Sequence, residues 1–164
     1  MLSGKLTDKL LFVAIYIAAG ILVVYGARCI TNYALDIRFY QDFLLPWKTT
    51  FLAMRHQAPI WPEANGEDPM GAMQTLIRHL QEKGIEFPKS NTTYPFVYRL
   101  NKFGERDQRI LMVFRQNKML LYGLPASSFN RLDRIIDGFS DAEHGDFTGR
   151  KSTDQISCIA QWIL

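Results

Sequence analysis

The sequence has few of the side chains on which disulfide and zinc chemistry depend. It contains two cysteines and three histidines, and two cysteines are too few for the disulfide framework of a small secreted domain. Whether Cys29 and Cys158 form a disulfide stays open, because that depends on how closely their Cα atoms approach. His56, His79 and His144 have no histidine or cysteine three or four positions away, so a zinc site is not predicted.

Patterns typical of nucleic-acid binding and of catalysis are also missing. The formal net charge is only +3, and no run of basic residues alternates with aromatic residues, so nucleic acid is not a predicted partner. The serines lack a Gly-x-Ser-x-Gly motif, and no glycine-rich stretch carries the lysine of a phosphate-binding loop. Since the sequence offers no set of paired acid and base side chains, an enzyme is not predicted.

What the chain does have is one long apolar run near its beginning. Residues 10–27 read LLFVAIYIAAGILVVYGA, eighteen residues without a charge. A helix of this length measures ~27 Å and nearly spans the ~30 Å hydrocarbon core of a bilayer. The run therefore predicts a single transmembrane helix, with a cleaved signal peptide and a buried core helix as the alternatives. Because Lys5 and Lys9 precede the run, we expect a cytoplasmic N-terminus in the cell (inner) membrane and a periplasmic or extracellular domain.

Behind the span, the spacing of apolar residues predicts an amphipathic continuation of the same helix. Asp36, Arg38 and Asp42 fall mostly off the apolar stripe, and Pro46 is expected to kink or end the helix because it lacks an N–H. The stripe consists of Ile30, Tyr33, Ala34, Ile37, Tyr40 and Leu44.

The rest of the sequence predicts a small α+β domain. Asp68 is a plausible N-cap for a helix over 70–83, and Gly84 would end that helix. Alternation and turn residues predict strands over 94–102, 109–115, 119–124 and 155–164, a short helix over 129–137 and a loop over 138–149. The predicted organisation is a tail (1–9), a transmembrane helix (10–27), an amphipathic helix (28–56) and a globular domain (57–164). The fold class is α+β, with the long N-terminal helix packed on a small antiparallel sheet.

This layout resembles type IV pilins and the pseudopilins of type II secretion. The resemblance extends to the run LLYGLPASSFNRLDRIIDG…GDFTGRKS, where a strand passes through a proline into a short helix and then into an acidic loop. It implies a structural subunit of a pilus-like filament or of a type II secretion-type apparatus. Its partners would be the membrane and other protein subunits, either copies of itself or unlike pilin-like subunits.

One position departs from the family pattern. Pilin precursors carry Glu at the fifth position after the leader glycine, whereas the fifth residue after Gly4 is Lys9. Whether the N-terminus is processed is therefore open. The departure favours an alternative function, a membrane-tethered accessory or binding subunit of an envelope complex that does not polymerise.

The acidic loop is the candidate metal site. Hard cations such as Ca²⁺ bind carboxylate and carbonyl oxygens, and some pseudopilins that the chain resembles hold calcium in a similar loop. The alternative is a solvated acidic loop in which Asp133 pairs with Arg131, Arg134 or Arg150. The predicted calcium ligands are Asp133, Asp137, Asp141 and Asp146.

Aromatic residues are concentrated just after the span. They are either an interfacial belt together with the helix face that packs on the sheet, or part of a helix surface left uncovered for neighbouring subunits. These residues are Tyr25, Tyr33, Phe39, Tyr40, Phe43, Trp47 and Phe51.

Overall fold

The computed structural model describes residues 4–55, 68–115, 117–153 and 157–164. The predicted α+β class is confirmed, with a long N-terminal helix packed on a five-stranded antiparallel sheet. The helices are α1 (Gly4–Phe39), α2 (Leu45–Arg55), α3 (Pro69–Glu82) and α4 (Ala126–Asp137), and the strands are β1 (Val97–Leu100), β2 (Gln108–Arg115), β3 (Lys118–Pro125), β4 (Phe147–Lys151) and β5 (Ser157–Ile163).

The helix does not end at Pro46. A π-helical turn, Tyr40–Leu44, joins α1 directly to α2, and the N–H of Leu45 bonds to the carbonyl of Tyr40 five residues earlier. Proline has no N–H for the usual bond and crowds the preceding turn, so the wider turn lies where the α-helical pattern fails. Apolar length and hydropathy identify one candidate membrane span among the described residues, within the continuous helix Thr7–Met54.

The sheet is antiparallel throughout, with the spatial order β1-β2-β3-β5-β4. A register irregularity in β3 falls between Leu121 and Leu124. Gly123 lies there with φ +80, and a Cβ at this position would come within 2.8 Å of the carbonyl oxygen of Arg109. Only glycine tolerates both the left-handed backbone and this close approach.

The core joins the second part of the long helix to the sheet. Phe39 and Phe43 lie against Tyr98, with ring centroids 4.8 Å and 5.0 Å apart. Further along, Phe51 stacks on Phe114 at 4.5 Å, and the indole of Trp47 donates a hydrogen bond to the carbonyl of Pro95 at 3.0 Å. Aromatic burial of this kind contributes large apolar area and attaches the helix to β1 and β2.

In its first half, this helix segment packs on the domain through residues that lie off the predicted apolar stripe. Ile30 and Tyr33 are 72% and 53% exposed, whereas Asn32 and Asp36 are buried. The residues that pack on the domain are instead Asn32, Asp36, Phe39, Phe43, Leu44, Trp47, Phe51 and Met54.

Most of the predicted helices and strands of the domain are confirmed within a few residues. Asp68 caps α3 by accepting a hydrogen bond from the N–H of Gly71 at 2.9 Å. The first strand is shorter than predicted, and the end of the predicted loop over 138–149 is wrong, because β4 begins at Phe147. Residues 56–67, which contain the predicted end of the amphipathic helix and the start of the predicted globular domain, lie outside the described residues.

Candidate functional site

The long helix has two parts with opposite surroundings. None of the most apolar window of the helix is buried, and side chains such as Phe12 and Leu22 are 62% and 70% exposed. From Asn32 onward, one face of the helix lies on the domain. The candidate functional site is this helix together with the contacts that hold it.

Three polar side chains begin those contacts. Arg28, Asn32 and Asp36 follow one another at intervals of four residues, so they share one face of α1. The Arg28 guanidinium donates to the carbonyl of Gly104 at 3.4 Å. Asn32 forms a reciprocal pair with the backbone of Phe103, accepting from its N–H at 2.8 Å and donating to its carbonyl at 3.3 Å.

The last residue of the three, Asp36, forms a buried ion cluster. Its Oδ2 lies 2.9 Å from the Lys102 ammonium and 2.7 Å from the Arg131 guanidinium. The Asp36 side chain is 0% exposed and that of Lys102 is 1% exposed, and Lys102 also donates to the hydroxyl of Ser127 at 3.2 Å. We call the contacts of Arg28, Asn32 and Asp36 the polar seam.

The polar seam fixes the position of α1 along the domain. Lys102 follows β1 and Arg131 belongs to α4, so Asp36 connects three parts of the fold. Asp36 Oδ1 has no hydrogen-bond partner among the described residues. A buried ion pair adds little net stability, whereas loss of one partner leaves a buried charge and is strongly destabilising. The Asp36 ion cluster therefore disfavours any sliding or rotation of α1 against the domain.

The predicted metal ligands are brought near one another, but three of the four carboxylates, those of Asp133, Asp137 and Asp141, accept hydrogen bonds from backbone N–H groups. Asp133 is buried in α4 and accepts from the N–H of Asp141 at 2.7 Å. Burial raises the pKa of the Asp133 carboxyl, the hydrogen bond from Asp141 opposes this effect, and the Asp137 charge adds to it. The predicted ion pair of Asp133 with Arg131 is not formed, because Arg131 binds Asp36 instead.

Asp137 covers the open edge of β4. Its two carboxylate oxygens accept from the N–H of Asp146 at 3.1 Å and of Phe147 at 2.9 Å. A Cβ at Gly145, whose φ is +113, would collide with this carboxylate. Further along the edge, the N–H of Gly149 donates to the carbonyl of Ala142 in the loop at 2.9 Å.

Asp141 organises the turn that precedes β4. It accepts from the N–H of Glu143 at 3.0 Å and contacts His144 Nδ1 at 2.9 Å. The hydrogen bond from Glu143, followed by that with His144, lowers the pKa of the Asp141 carboxyl. Among the described residues, no group of three or more His, Cys, Asp or Glu side chains is arranged to hold a metal ion. Calcium binding by the four aspartates stays a prediction.

The opposite edge of the sheet is covered in a similar way. Asn91 accepts from the N–H of Arg99 at 2.8 Å and donates to its carbonyl at 2.7 Å, so its side chain imitates a neighbouring strand along β1. The hydroxyls of Ser90 and Thr92 both donate to the carbonyl of Val97. Side chains and loop backbone therefore occupy much of both edges, which is how proteins suppress edge-to-edge pairing.

The two cysteines lie in different environments. Cys29 is exposed on α1 and Cys158 is buried in β5. They are not joined to each other.

Sequence reasoning missed the polar seam. The four-residue spacing of Arg28, Asn32 and Asp36 was the available signal, because polar residues at helical spacing behind an apolar run also define a face. Their partners Lys102 and Arg131 carry no such signal, since they lie more than sixty residues away.

These features define an α+β domain on a single long apolar N-terminal helix, which is a candidate membrane anchor. Comparisons with protein-family models, with curated proteins and with solved structures find no match to this chain.

Proposed function

We propose that the protein is a membrane-anchored structural subunit of a pilus-like filament or of a type II secretion-type apparatus, assembled through its N-terminal helix. The observation that carries this proposal is the exposed stripe of α1 beyond the apolar run. Ile30, Tyr33 and Ala34 are exposed, and they continue the apolar surface of the span toward the domain. We call these three residues the outer stripe.

The covered sheet edges support assembly by the helix rather than by the sheet. Strand addition needs a row of free backbone groups at an edge. Asn91 occupies such groups on β1, and Asp137 together with Ala142 does so on β4. The helix is the element that offers a long continuous apolar surface instead.

The polar seam supports the same proposal. A subunit that contacts neighbours through its helix needs a fixed orientation between the helix and the domain, and a buried ion cluster is well suited to setting such a register. Asp36 supplies this on a face of the helix that differs from the outer stripe. The helix is thus held on one side and uncovered on the other.

A second candidate function is a fixed, membrane-tethered accessory subunit of an envelope complex. The observation that favours it is Lys9 at the fifth position after Gly4, where pilin precursors carry Glu. In this alternative the outer stripe contacts a single unlike partner. In both candidates the N-terminus is cytoplasmic and the domain is periplasmic or extracellular.

Cysteine cross-linking of the full-length chain in native membranes tests the proposal. In a Cys29→Ala background, Ile30→Cys and Tyr33→Cys place thiols on the outer stripe. Glu82→Cys, exposed at the end of α3, is the matched control on another surface. We expect copies of the chain to cross-link through the stripe but not through residue 82, and electron microscopy to show filaments or a regular assembly.

Two results would contradict the leading candidate. Cross-links from the stripe to one unlike protein, without filaments or a regular assembly, would establish the accessory subunit instead. A chain that stays monomeric from every position would exclude both candidates.

A further inference from the structure

The face of the sheet that carries Leu120 and Tyr122 holds a cleft that the proposed assembly function does not use. The cleft has a volume of about 500 Å³. Leu120 is paired with Gln161, which is paired with Thr148, so these three side chains form one row across β3, β5 and β4. Arg115 and Arg150 line the same cleft.

The two arginines stand at opposite ends of the cleft. Arg115 ends β2 and Arg150 lies in β4, and β3 and β5 lie between these strands. At ~4.8 Å per strand, the backbones of the two residues lie ~14 Å apart across the sheet, and the strand registers set them four residues, ~13 Å, apart along the strands. An extended occupant can contact both arginines while it lies over the floor between them.

The charges of the cleft are of one sign. Among residues 4–55, 68–115, 117–153 and 157–164, no acidic residue lines the cleft, and neither Arg115 nor Arg150 forms an ion pair with a carboxylate. Other arginines of the fold do have such partners, as Arg131 does in Asp36. Between the two cations the floor includes the apolar side chains of Leu120 and Ile159.

We propose that this cleft binds an extended segment of a partner protein, with acidic side chains at both ends and an apolar side chain between them. Arg115 and Arg150 would each form a charge-assisted hydrogen bond to a carboxylate, and Leu120 and Ile159 would contact the apolar residue. A small anion fits less well, because it would leave the apolar side chains of Leu120 and Ile159 between the arginines uncovered. The site is independent of the outer stripe and would be present whether or not the chain polymerises.

A peptide selection on the full-length protein in lipid nanodiscs tests the proposal. Random displayed peptides of about ten residues are long enough to cross the cleft in extended form. We expect the enriched sequences to carry Asp or Glu on both sides of an apolar residue. The same peptides should bind the Arg115→Gln/Arg150→Gln variant at least about 10-fold more weakly, because two charge-assisted contacts are lost.

The matched control removes two exposed arginines that do not line the cleft, in the variant Arg106→Gln/Arg134→Gln. It should bind within about 2-fold of the unsubstituted protein, since only long-range charge is lost. As a second variant, Arg150→Glu should bind peptides in which one acidic end is replaced by Lys, which a merely misfolded protein would not do.

Three results would overturn the proposal. The enriched peptides could lack the acidic pattern, or they could bind the Arg115→Gln/Arg150→Gln variant as well as the unsubstituted protein. Displacement of the peptides by millimolar inorganic phosphate, with no effect of sodium chloride at equal ionic strength, would assign the cleft to a small anion instead. Because binding is measured on single chains in nanodiscs, none of these results bears on filament assembly.

Discussion

The two parts of the N-terminal helix belong to one continuous rod but meet different surroundings. Over residues 10–27 the helix carries no charge, and its large apolar side chains are exposed on every side. After Arg28 the helix has one face that carries polar residues and then aromatic rings, and this face lies on the domain. The first part is suited to a solvent that is itself apolar, where no face needs to differ from another. The second part packs against one protein surface, that of the domain, so each residue on the packed face makes a particular contact.

Removal of an aromatic side chain should give the largest difference between the two parts of the helix in the free energy of unfolding. Trp47→Ala deletes a fully buried ring and its hydrogen bond to Pro95, and should lower the free energy of unfolding of the domain by about 3–5 kcal/mol. Phe12→Ala, in the exposed part, should leave it unchanged within about 0.5 kcal/mol. Chemical denaturation of the protein in detergent, followed by circular dichroism, measures both. Equal losses for the two variants would mean that the domain also depends on the first part of the helix.

The next largest effect concerns the polar seam. Asp36→Asn leaves the buried Lys102 and the neighbouring Arg131 without a carboxylate, and should cost about 3 kcal/mol. Asp42→Asn removes an exposed partner of Arg38, 3.7 Å away on the same helix, and should cost less than about 0.5 kcal/mol.

The same denaturation measurement applies to this pair, with hydrogen exchange across α1 as a second readout. Faster exchange in the helix for Asp36→Asn alone would show that the seam holds the helix in register. A loss no larger than that of Asp42→Asn would contradict the role given to Asp36.

A smaller effect is expected at the edge of the sheet. Asp137→Ala removes the acceptor for the N–H groups of Asp146 and Phe147, and should lower the free energy of unfolding by about 1–2 kcal/mol. It should also expose the β4 edge and increase self-association. Asp146→Ala, whose side chain is exposed, is the control.

The same pair of variants tests the calcium prediction. If the loop binds calcium, the melting temperature of the unsubstituted protein rises with added calcium and falls with chelator, and both changes weaken in Asp137→Ala and in Asp146→Ala. A melting temperature indifferent to calcium would leave the aspartates with their structural roles alone.

The smallest expected effect is a dependence of the unfolding free energy on pH, which arises from the domain and not from the apolar part of the helix. Burial raises the pKa of Asp133 in the folded protein, so the folded state holds this proton more tightly than the unfolded chain does. Stability from this group is therefore present below its unfolded pKa and is lost as the pH rises through the folded pKa. Asp133→Asn should flatten this part of the pH profile of the unfolding free energy.

Asp141, whose pKa is lowered, acts in the opposite sense, since its contribution to stability is lost as the pH falls through its folded pKa. An unchanged profile in Asp133→Asn would show that other groups set the pH dependence.

Local chemistry determined much of this protein from the sequence. The eighteen uncharged residues over 10–27 form a helix whose surface is apolar on every side. This does not depend on the surroundings of the helix, because a run of this composition has no polar face. Asp68 caps α3 because its carboxylate lies next to the free N–H groups of the first turn. The strands β2 and β3 follow from alternation and a short turn, all within a few residues of one another.

Only the tertiary structure decided which face of the helix is covered and what the loop carboxylates do. The stripe of Ile30, Tyr33 and Ala34 has the period of a buried face, yet it is exposed. The domain instead covers the face that carries Asp36, because Lys102 and Arg131, from distant parts of the chain, bind this carboxylate. Likewise, the sequence of β4 contains a glycine and two basic residues and becomes a strand only by pairing with β5, while Asp137 closes its outer edge. The distant partners in such hydrogen bonds and ion pairs leave no periodic trace in the sequence, and this is why the contacts had to be found in the folded chain.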